Sequence, residues 1–244
     1  LFPYTTLFRS VFLATFVLVT SVVSAGMIIP ASDKAIEHSS AIGAGGDLER
    51  VDFIHYAKPT NPAKPSKVAT CYKLLGVKWT GLPVNYFINP SNTEGINENV
   101  VVSTIETSTQ TWGQATSAPL FNAPLTGEVQ YGVANGINAI DFGPLEPGII
   151  GVTSIWYSRV TKQIVEFDMR FNDYYAWGDA TSDSSLMDLQ NIATHELGHA
   201  VGMGDVYTSS CTAVTMYGYS NTGDISKRDL EPADITGLQK MYGA

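Results

Sequence analysis

The run THELGHAVGMGD, residues 194–205, constrains this chain more than any other stretch. His195 and His199 stand four apart, so on a helix their side chains share one face, about one turn from each other. Two imidazoles so placed aim at one point, as a tetrahedral zinc ion requires. Glu196 lies between them, near enough to accept a proton from a water held at that point. Gly202 permits a backbone conformation that other residues resist, which ends the helix and turns the chain. Asp205 then follows and can supply a third ligand through oxygen. An HExxH string can also arise by chance on a solvated helix. Here the surrounding helical pattern, Gly202 and Asp205 set it apart.

The pattern around this run predicts one α+β domain. Leu186, Leu189, Ile192, Ala193, Leu197 and Ala200 recur at three- and four-residue steps, so 184–203 reads as a long helix. Ser184 or Ser185 would cap it, with Asp188 in its first turn. Upstream, VKWTGLPVNYFIN alternates apolar residues and ends at Asn89-Pro90, a strand followed by a turn. Val101, Ile105 and Trp112, with the small Ser108, share a helical face over 98–114. GEVQYGVA, GIIGVTSIWYS and QIVEFDMRFN have the β-branched and aromatic content of strands. A last helix starts near Pro232 and ends at Gly243. The domain spans 71–244, roughly 175 residues, enough for one good core.

The chain before Cys71 is different. Residues 26–70 hold AIGAGGDLER and then KPTNPAKPSK, a Pro- and Lys-rich stretch that favours an extended linker. They read as a pro-segment or spacer, in which VDFIHY could pack as one strand on the main domain. Residues 11–25 are apolar but short for a membrane span, and Val23-Ser24-Ala25 offers small residues for signal-peptide cleavage. A retained anchor helix is the alternative. Residues 1–10, LFPYTTLFRS, resemble the translation of a sequencing-library adapter and are set aside. The net charge of −9 argues against a nucleic-acid partner. The two cysteines, Cys71 and Cys211, suggest a disulfide in a secreted, extracellular protein. Two unrelated thiols, or Cys71 as an inhibitory metal ligand, are the other readings.

HELGHAVGMGD resembles the metzincin signature HExxHxxGxxH, with Asp in place of the last His. CTAVTMYGYS resembles the Met-turn. VKWTGLPVNYFI, VEFDMRFNDYYAWGD and PADITGLQKMYG resemble the first strand, the strand before the active-site helix and the last helix of matrixins of the bacterial and archaeal type. An Asp third ligand is similar to snapalysin.

The resemblance implies a metzincin fold with a twisted, mostly parallel sheet and an antiparallel edge strand near 150–157 that pairs with substrate. It implies one catalytic zinc on His195, His199 and Asp205, and Glu196 as general base. Met216 would be a hydrophobic floor, and Tyr217 and Tyr219 a wall of the pocket for the residue after the cut. The expected activity is zinc-dependent hydrolysis of protein or peptide substrates by a secreted monomer that has no stable membrane association after signal cleavage.

Asp205 should leave zinc a weaker Lewis acid than a three-His site would. Matrixins usually have Pro where Gly218 stands, and no PRCGxPD inhibitory motif is present. His38 and His55 lie ahead of the domain, so no second, structural zinc is expected. Glu166, Asp168 and Asp173 are of the type that binds calcium, but they read as a solvated acidic face and no calcium site is expected. A non-catalytic peptide-binding module, or a surface-anchored adhesion module on the same scaffold, is the alternative function. The intact Glu196 counts against it.

Overall fold

The computed structural model describes residues 40–42, 46–58 and 70–244. The expected signal peptide, the adapter-like residues and most of the Pro- and Lys-rich stretch lie outside these. No helix among the described residues is long and apolar enough to cross a membrane.

One sheet of eight strands organises the molecule. Its strands are β1 (Ser40–Ile42), β2 (Leu48–Ala57), β3 (Phe87–Ile88), β4 (Leu125–Thr126), β5 (Ala139–Gly143), β6 (Ile149–Ser158), β7 (Ile164–Asn172) and β8 (Tyr219–Ser220). The order is β1-β2-β6-β7-β5-β3-β4, with β8 added beside β2. The pairings of β7, β5, β3 and β4 are parallel, as is that of β8 with β2. Those of β1, β2, β6 and β7 are antiparallel.

Among the described residues three α-helices complete the fold: α1 (Glu98–Gly113), α2 (Leu189–Ala200) and α3 (Pro232–Tyr242). On α1 the predicted face is the one buried: Val101, Ile105, Ser108 and Trp112. Ser108 is small enough to let α1 approach α2, where its hydroxyl reaches Gln190 O at 3.4 Å. The Trp112 indole donates to Thr194 O at 2.7 Å and the Trp79 indole to Ala200 O at 2.8 Å. These two large rings fill the core and anchor the helix that carries the imidazoles.

Several elements differ from the sequence reading. The first strand is broken: Lys78 and Val84 make single bridges, and only Phe87–Ile88 enters the sheet. Pro83 interrupts it, because proline has no N–H to give a ladder. GEVQYGVA is a loop. Its amides at Gly132 and Val133 donate to Asp168, and those of Asn135 and Gly136, just after it, to Glu166. Glu166 and Asp168 are therefore not a solvated acidic face, since both are buried under that loop. The parallel strand β5 was not anticipated. Helix α2 begins later than expected, because Asp188 is its cap: the carboxylate accepts from Asn191 N at 2.8 Å.

Candidate metal centre

Asp188 fixes the start of α2 by accepting also from Ala180 N at 2.8 Å and pairing with Arg228. At the other end Gly202 has φ 99°, and a Cβ there would lie 2.5 Å from Val77 O. Only glycine permits both the turn and the close approach. Met203–Gly204 then pairs with Lys73–Leu74, which swings Asp205 back beneath the helix.

The three residues singled out as ligands converge. His195 Nδ1 lies 2.7 Å from Thr215 O and His199 Nδ1 lies 2.9 Å from Met203 O. A carbonyl only accepts, so each Nδ1 carries the hydrogen and each Nε2 presents a lone pair. The two Nε2 atoms are 3.2 Å apart, and Asp205 Oδ1 is 3.2 and 3.5 Å from them. Asp205 Oδ1 is buried and has no hydrogen-bond partner among the described residues. Two lone pairs and an orphaned carboxylate oxygen facing one another call for a cation, and the donor set of two imidazoles and one carboxylate suits zinc. Burial lowers His195 to about 4, in its neutral, ligating form. Burial opposes charge on Asp205, yet His199 and His195 hold it well below the ordinary carboxylate range.

Met216 is fully buried against α2. A Cβ at Gly198 would lie 2.2 Å from its sulfur, so the glycine between the two histidines is the seat of the methionine. Asp234, at the start of α3, accepts from Thr215 N at 2.9 Å and Met216 N at 3.3 Å and pins this turn. Tyr217 is buried, and its carbonyl accepts from Lys227 Nζ. Tyr219 lies on β8. Cys71 and Cys211 are bonded to each other, with Cα atoms 5.3 Å apart, which leaves no thiol to face a metal.

Four residues of the site were not foreseen. Tyr207 donates to Asp205 Oδ2 at 3.1 Å. Burial and the neighbouring Asp205 carboxylate push its phenol up, so it stays a donor. A Cβ at Gly218 would meet the Tyr207 ring at 2.4 Å, so the departure at 218 makes room for the tyrosine that holds the departure at 205. Thr153 on β6 donates to Glu196 Oε2 at 2.6 Å. Burial lifts Glu196 to about 7, with His199 and the Thr153 hydroxyl pulling the other way.

His55 and Lys227 complete the set. His55 Nδ1 is 3.2 Å from Glu196 Oε1, and Lys227 Nζ is 3.4 Å from His55 Nε2. Lysine only donates, so His55 Nε2 is the acceptor and Nδ1–H donates to Glu196. Burial, with His195 and Lys227 adding, lowers His55 well below its ordinary value, which fits this neutral form. Nothing local in the sequence marks His55, because it arrives on β2 from 141 residues before Glu196.

From Cys71 onward β6 is the outermost antiparallel strand, as expected. β2, which precedes that domain, adds to its outer side from Leu48↔Ser158 to Tyr56↔Ile149.

Comparison with known proteins agrees with this architecture. Residues 154–243 match the matrixin family. The chain is 29% identical to human matrilysin over 169 residues, 68% of this chain and 59% of that protein. It is 29% identical to mouse stromelysin-1 over 170 residues, 68% of this chain and 33% of that protein. With Metalloendoproteinase 2-MMP of Arabidopsis thaliana it shares 32% over 124 residues, 49% of this chain and 30% of that protein. The chain thus spans less than two thirds of each of these relatives' own lengths. The matched residues run from β6 through α2, the Met216 turn and α3, and over them the chain is similar to the matrixins.

Proposed function

We propose that this chain is a secreted, zinc-dependent endopeptidase. The observation that carries the reading is the buried meeting of His195 Nε2, His199 Nε2 and the orphaned Asp205 Oδ1, with Glu196 beside it. In this reading residues 11–25 direct secretion, 26–70 are a pro-segment or linker, and 71–244 form the catalytic domain.

His195, His199 and Asp205 would hold one zinc, leaving a fourth position open. When bound, the ion supplies Lewis acidity that polarises a carbonyl. Glu196 takes a proton from the water that attacks the scissile carbonyl and later passes a proton to the leaving amine. A carboxylate lifted by burial is suited to both transfers. Thr153 holds Oε2 and so keeps Glu196 oriented. Met216 supports the imidazoles from below as packing, not as a ligand. Tyr217 and Tyr219 would wall the pocket that takes the residue after the cut. An extended peptide would pair antiparallel with β6, deriving affinity from main-chain bonds.

The test is hydrolysis of a quenched, mixed-sequence peptide library by protein starting near Cys71, with zinc supplied, beside the Glu196→Ala variant. Cleavage by the first, and a loss of at least ~100-fold in the second, is the expected result. Folded protein that binds zinc and cleaves nothing would shift the reading to the peptide-binding alternative.

A further inference from the structure

We propose that residues 48–57 are an internal ligand of the substrate cleft, holding the protein latent by placing His55 in the pocket between His195 and Lys227. The proposal rests on the endopeptidase reading and names the regulation of that same site.

Strand β2 is gripped from both sides. It pairs antiparallel with β6 along its length, while Tyr56 and Ala57 run parallel to Tyr219 and Ser220. Ala57 N donates to Gly148 O and Lys58 N to Ser220 O, both at 3.0 Å. The register shifts between His55 and Tyr56, where the strand passes the imidazoles. Such bulges re-aim side chains beside active sites.

Two side chains face inward, and both are buried. The Phe53 ring stacks on His199 at 4.3 Å, and the His55 ring lies 4.0 Å from that of His195. His55 engages the base Glu196 with one nitrogen and Lys227 with the other. A peptide cannot add to β6 or reach Glu196 while this strand is in place. The block needs no thiol, and both cysteines are already joined.

Lys227 says what the pocket prefers. Its ammonium is buried and forms no ion pair among the described residues; it donates to Tyr217 O, lies 3.4 Å from His55 Nε2 and stands 5.8 Å from the centre of the Tyr217 ring. A buried cation of this kind favours a partner that accepts a hydrogen bond. The substrates expected are therefore peptides with an acceptor-tipped side chain, such as His, Gln or Glu, at the position His55 fills.

The experiment uses the full chain, zinc-loaded, carrying Glu196→Gln so that no bond is cut. Hydrogen exchange first reads the β6 amides, which should be as protected as those of β7. A fluorescent peptide copying residues 48–57 is then added. It should fail to bind this protein and bind saturably once Phe53→Ala and His55→Ala release the internal strand. Unprotected β6 amides, or equal binding to both proteins, would overturn the proposal; the exchange result does not depend on how the variants fold. Replacing the peptide's histidine by leucine should weaken binding about tenfold, the scale of a hydrogen bond to a charged group, and replacing it by glutamine should not. Lys227→Met should erase that difference, and leucine binding as well as histidine would overturn the pocket assignment. With Glu196 restored, the released chain should cleave the peptide library at least ~10-fold faster than the wild type. Protected β6 amides and selective peptide binding without any cleavage would sink the peptidase reading alone.

Discussion

Tyr207, Gly218 and Asp205 act as a unit. As a ligand, Asp205 would be shorter than a His and would have to be brought closer and aimed, and the Tyr207 hydroxyl holds its Oδ2. Gly218 provides the space for the ring. Removing the hydroxyl in Tyr207→Phe leaves the packing in place and frees one carboxylate oxygen. Zinc affinity should fall about tenfold, as is usual when an outer-shell partner is lost, with little change in melting temperature. Competition against a chromogenic chelator measures it, and unchanged affinity would remove Tyr207 from the metal centre. Lys227 offers a second prediction at this scale. Burial lowers its ammonium from 10.5 to about 8. Between those values the unfolded chain binds a proton that the folded chain does not, so folding stability should rise with pH across that window. Lys227→Met should lack this component. Urea midpoints of the metal-free protein at the two ends of the window, compared between wild type and variant, give the difference directly.

At the scale of elements, the turn that carries Met216 has few bonds of its own and borrows order from α3. Asp234 accepts from the amides of Thr215, Met216 and Glu231, so one carboxylate serves both the helix start and the turn. Asp234→Ala would strand buried donors and should cost about 2–3 kcal/mol in denaturant unfolding, whereas Asp234→Asn, which keeps an acceptor, should cost less. That His195, His199 and Asp205 would meet was legible in the sequence, because the spacing of the two histidines and the turn at Gly202 are local geometry. The sequence showed α1 and α3 for the same reason: the apolar spacing of the first, and Pro232 and Gly243 at the ends of the second, are local signals. Residues 127–134 do not form the strand that their composition suits, because the Gly132 and Val133 amides are claimed by Asp168, more than thirty residues on. VDFIHY was legible as a strand, but its partner was not. Which edge a strand joins is decided by non-local pairing, and with it the placement of His55 against Glu196.

For the molecule as a whole, the Cys71–Cys211 bond joins the two ends of the metal centre's frame. Cys71 lies just before the Lys73–Leu74 pairing that positions Asp205, and Cys211 lies between Asp205 and the Met216 turn. The bond spans 140 residues, so it closes a long loop in the unfolded chain and restricts that state strongly. Replacing both cysteines with serine should therefore lower stability by about 2–4 kcal/mol. The same change should loosen the 206–215 segment more than the sheet, because Cys211, Val206, Val214 and Tyr217 form a small apolar cluster of their own, apart from the main core. Hydrogen exchange separates the two effects. Amides of 206–215 should lose protection in the double serine variant under conditions where β6 and β7 keep theirs. Uniform loss across the sheet would mean that the disulfide stabilises only through the unfolded chain. Selective loss would mean that it also holds the loop between Asp205 and Met216, and zinc dissociation should then quicken in step with it.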